Sequence, residues 1–465
     1  MSRDDAALIA TGTAPGFREW LRQMERINGC AAPVYLVGHT ITRDVLTGAI
    51  LHVFSSAGQP RGRLAVACGN RRASRCRSCA WLHAGDTFQL VVSGLAGGKG
   101  VPASVAGHPR AFVTLTAPSF GAVHRECPGE PCHPRRGGGL CAHGAPVGCG
   151  ARHLDGDPVI GWPLCGGCYD YERAVLWNGH AGPLWDDFAK RVRVALASVA
   201  GVSRSELRAH VRLSFAKVAE YQRRGAVHLH AVVRLDGPDG PGTDEDPGLP
   251  PEWATVGMLE AAVRSAAGAA LVHTTEPDVS GRLALRFGAQ VDVRPITTAG
   301  EGSGLTDGAV AAYIAKYVTK GHIPGLVLDA RVPSESHIEA APLSDHGKAL
   351  MRACWDLGER EEYAGLRLRD WSFQLGFRGN IATKSRLYST TYGALRDARA
   401  TFRQAAAEGL DFGDRQTVTE SRWQFEDMGH TPGEALFAAG VALAAEGRRE
   451  AARDARDDLT GGGAG

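Results

Sequence analysis

The segment from His210 to Leu235 constrains the fold of this chain more than any other. His210 to Tyr221 roughly alternates apolar and polar side chains, and Ala226 to Leu235 is a second run rich in residues that favour strands. Gln222 to Gly225, between the two runs, is polar and contains glycine, as tight turns do. Two strand-like runs joined by such a turn predict a β-hairpin.

Three side chains on this hairpin predict a metal site. His228 and His230 lie two residues apart on the second strand, so both imidazoles point to one face of the sheet. Glu220 ends the first strand, and the short turn makes it a cross-strand neighbour of the histidines. Two imidazoles and a carboxylate leave positions open on a divalent ion, where a phosphate oxygen can bind. Mixed nitrogen and oxygen ligands do not fix the metal, and Mg²⁺ or Mn²⁺ is expected.

A later segment predicts a helix that carries two tyrosines. Thr306 or Asp307 can cap its start, and Gly321 can end it. Tyr313 and Tyr317 are four residues apart and would lie on one helix face. A metal beside two phenols suits the cleavage of a DNA strand through a covalent phosphotyrosine.

Two lysines follow the tyrosines on the same helix. The chain has only seven lysines among its 52 basic residues, yet Lys316 and Lys320 each lie three residues after a tyrosine. They are candidates for binding the phosphate or for helping a phenol, whose ordinary pKa is about 10, to lose its proton. Solvated helix surface is the structural alternative. Likewise, a His-x-His pair or a tyrosine pair alone is more often incidental or packing, and only their combination favours catalysis.

These motifs resemble those of rolling-circle replication initiators in the HUH endonuclease superfamily, and most closely the Rep proteins of actinomycete plasmids and integrative conjugative elements. Phe112 to Thr116 resembles the first motif, a core strand. Glu220 to His230 resembles the second, and Tyr313 to Lys320 resembles the two-tyrosine third motif of the gene A proteins of small single-stranded DNA phages. The three follow one another in the family's order. The resemblance spans roughly residues 65 to 395 and includes the tract Thr383 to Arg386.

The resemblance implies both a fold and a reaction. The family core is an antiparallel sheet with helices packed on it, so the expected class is α+β. Tyr313 or Tyr317 would attack a phosphodiester at a replication origin, giving a 5′-phosphotyrosine and a free 3′-hydroxyl that primes synthesis. The other tyrosine would cut again after one round. The implied partner is origin DNA that is single-stranded at the nick.

The cysteines predict zinc. Ten of the eleven cysteines lie between Cys30 and Cys168, and no secretory signal is evident, so a cytoplasmic protein with structural zinc is expected rather than disulfide bonds. Two Cys-x-x-Cys pairs are expected to share one ion, although their pairing stays open: Cys76, Cys79, Cys165 and Cys168. Four residues between these pairs suggest a second ion: Cys132, Cys141, His143 and Cys149. Cys68 is a spare ligand, and Cys30 and Cys354 are interpreted as reduced, buried thiols.

Length and charge bound the organisation. The 465 residues exceed one ordinary domain, and a net charge of +2 means that any basic DNA-binding surface must be local. The expected regions are an N-terminal region of unknown role, a cysteine-rich zinc-binding insertion that contains the first core strand at about 110–117, the nuclease core, a mainly helical C-terminal region and a disordered tail. Their expected boundaries are 1–60, 61–180, 181–325, 326–455 and 456–465.

Two absences narrow the function. No apolar run is long enough to span a membrane. No Gly-x-x-x-x-Gly-Lys-Ser/Thr loop occurs, so a separate host helicase, together with a host polymerase, is expected. Two alternatives stay open. A two-tyrosine transposase would use the same site, and a zinc-dependent DNA-binding regulator would have no nuclease activity.

Overall fold

The computed structural model describes residues 2–134, 139–275, 281–296, 305–320, 323, 325–408 and 415–461. Its mixed helices and antiparallel sheets confirm the α+β class. The helices are α1 Arg3–Gly12, α2 Phe17–Arg26, α3 Arg77–Ala96, α4 Tyr171–Ala200, α5 Arg204–Leu207, α6 Val256–Ala269, α7 Asp307–Lys320, α8 Glu335–Ala340, α9 Asp345–Leu357, α10 Tyr392–Glu408 and α11 Pro432–Gly461. The strands are β1 Val34–Asp44, β2 Ile50–Ser55, β3 Leu64–Val66, β4 Arg110–Leu115, β5 Arg212–Tyr221, β6 Val227–Asp236, β7 Val272–His273, β8 Ala284–Leu285, β9 Val291–Pro295, β10 Ala382–Lys384 and β11 Thr417–Met428.

The chain divides into two compact units. The terminal unit contains both ends of the chain, Met1–Asp86 and Tyr392–Gly465, and the central unit is Thr87–Thr391. In the terminal unit, β1 pairs with β2 and β3 on one side and with β11 on the other. A small core packs beneath this sheet, formed by Trp20, Met24, Tyr35 and Ala65.

A five-stranded antiparallel sheet, in the order β10-β5-β6-β4-β9, forms the middle of the central unit. Helices α4 and α6 pack against one face, where Trp185 of α4 contacts Phe215 of β5 with ring centroids 5.1 Å apart. The opposite face receives α7, because Arg110 of β4 donates to the carboxylate of Asp307 at 2.8 Å. Alternation along each strand therefore gives this sheet an apolar face toward α4 and a polar face toward α7.

The predicted hairpin is β5 and β6, and Asn178 of α4 holds its turn. Gly225 closes the turn with a φ of +77°, a conformation that favours glycine. The fully buried Asn178 amide donates to the carbonyl oxygens of Gly225 and Leu375, and its oxygen accepts the N–H of Val227 at 2.9 Å. One buried side chain thus fixes where β6 begins, and with it the positions of the two histidines.

The region after residue 326 contains the four helices α8 to α11, but it is divided between the two units and includes two strands. Residues up to Thr391 belong to the central unit, and β10 forms an edge strand of its sheet. The twelve-residue β11 pairs with β1, although no strand was expected there. Both faces of β11 are largely exposed, so its sequence lacks the apolar–polar alternation that marks a half-buried strand. Helix α11 extends to Gly461, into the expected disordered tail, while residues 462–465 lie outside the described part.

Among the described residues, no helix combines the length and the apolar character that crossing a membrane would require.

Candidate active site and metal centres

The hairpin brings the three predicted metal ligands to one face of the sheet. Glu220 and His228 are directly opposite each other in the β5–β6 register. His230, two residues further along β6, lies between Val218 of β5 and Thr114 of β4. The three predicted ligands therefore share one face of the sheet for two reasons. Side chains alternate between the faces along each strand, and a four-residue turn sets the register of the hairpin.

His230 is the centre of this arrangement. Its Nε2 lies 3.3 Å from Oε2 of Glu220 and 3.3 Å from the hydroxyl of Tyr313. Its Nδ1 lies 3.1 Å from Oγ1 of Thr114, and its ring stacks on Phe112 at an interplanar angle of 9°. Thr114 and Phe112 were expected to be structural strand residues. The structure shows that they set the orientation of His230, so that Nε2 faces the carboxylate and the phenol.

His228 supplies a second, unusual imidazole. Its ring centroid is 4.5 Å from that of His230, and its Nδ1 is buried with no hydrogen-bond partner among the described residues. Burial, aided by the neighbouring His230 and Arg224, lowers the pKa of His228 to about 3. The ring is therefore neutral at physiological pH, which is the form that binds a metal. A buried, unpartnered nitrogen beside a second imidazole and a carboxylate fits a divalent ion.

The two tyrosines lie one helical turn apart on α7, facing the histidines. Thr306 caps this helix, since its Oγ1 accepts the N–H of Ala309, whereas Gly321 lies outside the described residues. The Tyr313 and Tyr317 rings are 4.6 Å apart, and the Tyr317 ring lies 5.7 Å from that of His230. Both phenols therefore share one site.

The Tyr313 hydroxyl holds its proton tightly in this setting. Burial raises the pKa of Tyr313 above its usual value of 10.0, and the hydrogen bond with Tyr317 and the charge of Glu220 act in the same direction. A nearby positive charge would act in the opposite sense and favour the phenolate.

The two lysines on α7 are placed differently. Lys316 is exposed, and its Nζ lies 5.9 Å from the centroid of the Tyr317 ring. Lys320 is the last residue of the helix, and its side chain lies outside the described part of the chain.

A buried network that the sequence did not reveal fixes α7 to the sheet. Arg110 of β4, almost fully buried, donates both to the Leu95 carbonyl at the end of α3 and to Asp307 at the start of α7. Beside it, Arg234 of β6 makes a two-pronged ion pair with Asp236, at 2.6 and 3.0 Å. The first residue of the tyrosine helix is thus tied to the strand next to the histidines.

Nine cysteines and histidines expected near zinc form three separate clusters with three residues that were not expected there. In each cluster the candidate ligand atoms all lie within 4.8 Å of one another: Cys30, Cys68, Cys76 and Cys79; His124, Cys132, Cys149 and His153; and Cys141, His143, Cys165 and Cys168. The eleven cysteines are free thiols. The clusters could each hold a metal ion.

This arrangement corrects the ligand sets expected from sequence. The Cys76/Cys79 pair lies with Cys30 and Cys68, whereas the Cys165/Cys168 pair lies with Cys141 and His143, so the two pairs belong to different clusters. Cys30, interpreted as an isolated buried thiol, is a member of the first cluster.

The expected second set also divides between two clusters. Cys149 lies beside Cys132 because residues 133 and 149 are bridged, whereas Cys141 and His143 lie in the turn that the bridge between residues 140 and 146 closes. His124 and His153 complete the set with Cys132 and Cys149. Neither histidine has a short-range motif that could have identified it.

The spacing of the ligand atoms fits tetrahedral zinc. Four sulfurs around zinc, with bonds of about 2.3 Å, lie about 3.8 Å from one another. In the first cluster, the Cys30 sulfur lies 3.8 Å from Cys76 and 3.7 Å from Cys79, and Cys68 lies 3.6 Å from Cys79. In the third cluster the backbone N–H of His143 lowers the pKa of Cys141 to about 6, which favours the thiolate that zinc requires.

A carboxylate orients one ligand of the second cluster. His153 Nδ1 lies 2.6 Å from the carboxylate of Asp157, while its Nε2 faces Cys149 at 3.5 Å and His124 at 3.1 Å. Such a carboxylate–histidine pair is typical of zinc ligands, because it fixes which ring nitrogen is free to bind. Arg223, in the β5–β6 turn, donates a hydrogen bond at 2.9 Å to the carboxylate of Asp155, which lies between His153 and Asp157 in the chain. This cluster is therefore joined to the hairpin that carries Glu220 and His228.

Comparison with known proteins shows the family of this chain. A family model described as "Replication initiator protein, pSAM2" (RepSA) matches residues 16–443. A curated replication initiator protein of Streptomyces ambofaciens is 45% identical over 461 residues, covering 97% of this chain and 96% of the relative. No solved structure matches significantly. The match covers both units and every candidate ligand and tyrosine, and the chain therefore belongs to the RepSA family of replication initiator proteins.

Proposed function

We propose that this replication initiator nicks one DNA strand at a plasmid-type origin, with Tyr313 or Tyr317 as the nucleophile, and so starts rolling-circle replication. The convergence of the Tyr313 hydroxyl and the Glu220 carboxylate on Nε2 of His230, each at 3.3 Å, carries this proposal. Nucleophile and candidate metal ligands meet within hydrogen-bond reach, as a phosphoryl-transfer site requires.

The reaction exchanges one phosphate ester for another. The phenolic oxygen forms a bond to phosphorus as the bond between phosphorus and the 3′ oxygen breaks. The tyrosine becomes a 5′-phosphotyrosine, and the leaving 3′ oxygen takes up a proton to become the primer hydroxyl. The phenol gives up its proton to solvent, because Nε2 of His230, 3.3 Å from the Tyr313 hydroxyl, is kept for the metal ion. The energy of the phosphodiester is kept in the phosphotyrosine, so the strand can later be rejoined without another cofactor.

Two equivalent phenols permit two transfers. The Tyr313 and Tyr317 rings are 4.6 Å apart on one helix face, and both lie near His230. While one tyrosine holds the 5′ end, the other can attack the regenerated origin after one round of synthesis. The second attack links the enzyme to the new 5′ end and frees a 3′-hydroxyl. That hydroxyl then attacks the first phosphotyrosine, which closes the circle and releases the first tyrosine as a phenol.

Glu220, His228 and His230 would hold the catalytic ion. When bound, Mg²⁺ or Mn²⁺ would polarise the phosphate and favour the phenolate. The protein residues orient the ring of His230 through Thr114 and keep the imidazole of His228 neutral. The three cysteine-containing clusters would hold structural Zn²⁺, which stabilises the segments around the hairpin and the start of α3.

The proposed partners are origin DNA, single-stranded at the nick, and host replication proteins. The chain has no phosphate-binding loop of the helicase type, so strand separation and synthesis would fall to a host helicase and polymerase.

A denaturing-gel nicking assay tests the proposal. Single-stranded DNA from the element's own origin, labelled on either side of the nick, is incubated with the protein and Mn²⁺ or Mg²⁺. A metal-dependent covalent adduct is expected on the 5′ side of the break. It should survive in Tyr313→Phe or Tyr317→Phe and disappear in the double variant and in His228→Ala.

The other outcomes separate the alternatives. Loss of the adduct in one single-Phe variant would assign cleavage to that tyrosine alone and overturn the equivalence of the two. Cleavage at transposon-like ends, with none at an origin, would favour a transposase. DNA binding without any adduct would favour a DNA-binding regulator.

A further inference from the structure

A groove lies at the start of β5, whereas Glu220 lies near the other end of this strand. It encloses about 970 Å³ between α4, α5, the start of β5 and the segment after β10. Six basic side chains line it: Lys190, Arg193, Arg204, Arg208, Arg212 and Arg386. The other described lining residues are Leu, Val or Ser, with no carboxylate among them. A chain with a net charge of only +2 therefore concentrates six cations in one groove.

None of these six cations forms an ion pair with a carboxylate among the described residues. Among the described residues, none of the six cations has a carboxylate oxygen within 4.0 Å, whereas Arg191, on the same helix, pairs with Asp187 at 2.6 Å. Glu206, the one acid of α5, turns its carboxylate to the N–H of Ser203. Burial lowers the pKa of Arg193, and repulsion from the surrounding arginines lowers it further. Such an arrangement is stabilised when an anion binds.

The arrangement of the charges fits a polymer rather than a single phosphate. Lys190 and Arg193 are three residues apart on α4, and Arg204 and Arg208 are separated by about one turn at α5, so the cations lie in two rows. Duplex DNA presents one negative charge per about 1.7 Å of its length, which suits successive cations along a groove.

The groove is better suited to duplex than to single-stranded DNA. Surfaces that hold single strands normally offer aromatic side chains on which bases stack. None of the described residues that line this groove is aromatic. Cations without stacking partners read the phosphate backbone and leave paired bases inside the helix.

We propose that this groove binds the phosphate backbone of double-stranded DNA beside the nick site. The proposal rests on the proposed function for the presence of a nick at the histidine end of β5. Arg212 lies at the groove end of β5 and Glu220 lies at the histidine end. The eight residues of strand between them span about 26 Å. At 3.4 Å per base pair, this distance corresponds to about eight base pairs of a duplex that lies along β5.

Salt-dependent binding tests the groove directly. The full chain is titrated into a fluorescein-labelled 30-base-pair duplex of mixed sequence at several KCl concentrations, and the anisotropy is measured. Arg204 and Arg208 are exposed, so the double variant Arg204→Gln/Arg208→Gln should fold normally. We expect affinity to fall at least tenfold at 100 mM KCl, and the slope of log K against log salt to decrease by about 2.

The matched control removes two charges that carboxylates already neutralise. Arg191→Gln/Arg264→Gln changes two arginines of the same unit that pair with Asp187 and Glu260. This control should bind the duplex with nearly the wild-type affinity and slope. Equal losses of duplex affinity in both double variants would show that binding depends only on net charge, which would overturn the proposal. Unchanged duplex affinity in the groove variant would overturn it as well.

Cleavage of a single-stranded origin oligonucleotide separates this proposal from the proposed function. The groove variant should nick that oligonucleotide at nearly the wild-type rate, since the charges removed lie far from the tyrosines. Weaker binding of the single strand, with unchanged binding of the duplex, would overturn the assignment to duplex DNA. Duplex binding through the groove in a wild-type protein that never nicks would overturn the proposed function alone.

Discussion

Oγ1 of Thr114 lies 3.1 Å from Nδ1 of His230, on the side of the ring that faces away from Glu220 and Tyr313. The two residues are directly opposite each other on β4 and β6. The tautomer in which Nδ1–H donates to Thr114 leaves the lone pair of Nε2 for an ion. Thr114, on the first-motif strand, thus fixes the orientation and the tautomer of His230 in the second motif.

Replacing this threonine should weaken metal binding without removing a ligand. In Thr114→Val the shape is kept but the hydroxyl is lost, so we expect the Mn²⁺ concentration for half-maximal nicking to rise about tenfold or more. Thr114→Ser keeps the hydroxyl and should stay close to wild type. A valine variant with unchanged Mn²⁺ dependence would show that the ring is oriented by its stacking on Phe112 instead.

The metal content should follow the three clusters. Mass spectrometry of the purified protein is expected to find three zinc ions per chain, one per cluster. Cys30→Ser, Cys132→Ser and Cys165→Ser should each reduce this number by one. Cys354→Ala is the matched control, because Cys354 is buried outside the clusters, and it should keep all three ions. A variant of one cluster that empties another would contradict their independence.

Asn178 should be essential for the stability of the central unit. Asn178→Ala removes three hydrogen bonds and leaves the Val227 N–H and two carbonyls without the partner that the structure shows. Because unpaired buried groups are costly, we expect the free energy of unfolding to fall by about 3 kcal/mol. The exposed Ser198→Ala, on the same helix, should change it by less than about 0.5 kcal/mol. Denaturant unfolding followed by tryptophan fluorescence measures both, and equal effects would argue against a special role for Asn178.

His346 should make the stability of the central unit depend on pH. Burial lowers the pKa of His346 from 6.5 to about 4, and its Nε2 donates to the carbonyl of Arg224. The folded state binds fewer protons than the unfolded state between these values. This contribution to stability is therefore complete above about pH 6.5 and is lost as the pH falls toward about 4.

The size of this effect can be measured against a variant that does not titrate. Between about pH 8 and pH 5 the contribution of His346 should fall by about 2 kcal/mol. The difference in unfolding free energy between the wild type and His346→Gln should narrow by that amount. A difference that stays constant with pH would show that His346 does not titrate in this window.

The parts of the site that sequence predicted depend on local geometry. The opposition of Glu220 and His228 follows from one short turn, and the shared face of Tyr313 and Tyr317 follows from one helical turn. Alternation and helix periodicity act over a few residues, so both features can be read without a structure. The structure places all four side chains as these rules require.

The parts that sequence missed depend on contacts between distant residues. Cys30 joins Cys76 and Cys79 because α2, β3 and α3 fold back on one another, and no spacing rule covers that distance. Arg110 and Asp307 meet although almost two hundred residues separate them. The strand β11, which pairs with β1, is exposed on both faces. Its sequence therefore has no row of apolar residues that would predict a strand.

That last pairing has a consequence for how the protein is made. Val34 begins β1 and its partner in the sheet is Met428, so most of the chain is synthesised between the two. At the usual rate of about 5–20 residues per second, β1 waits about 20 to 80 s on the ribosome with one edge open. An open strand edge invites pairing with other chains. The terminal sheet can be completed only after β11 has been synthesised. A chain that ends before β11 would therefore keep an exposed, aggregation-prone edge on β1.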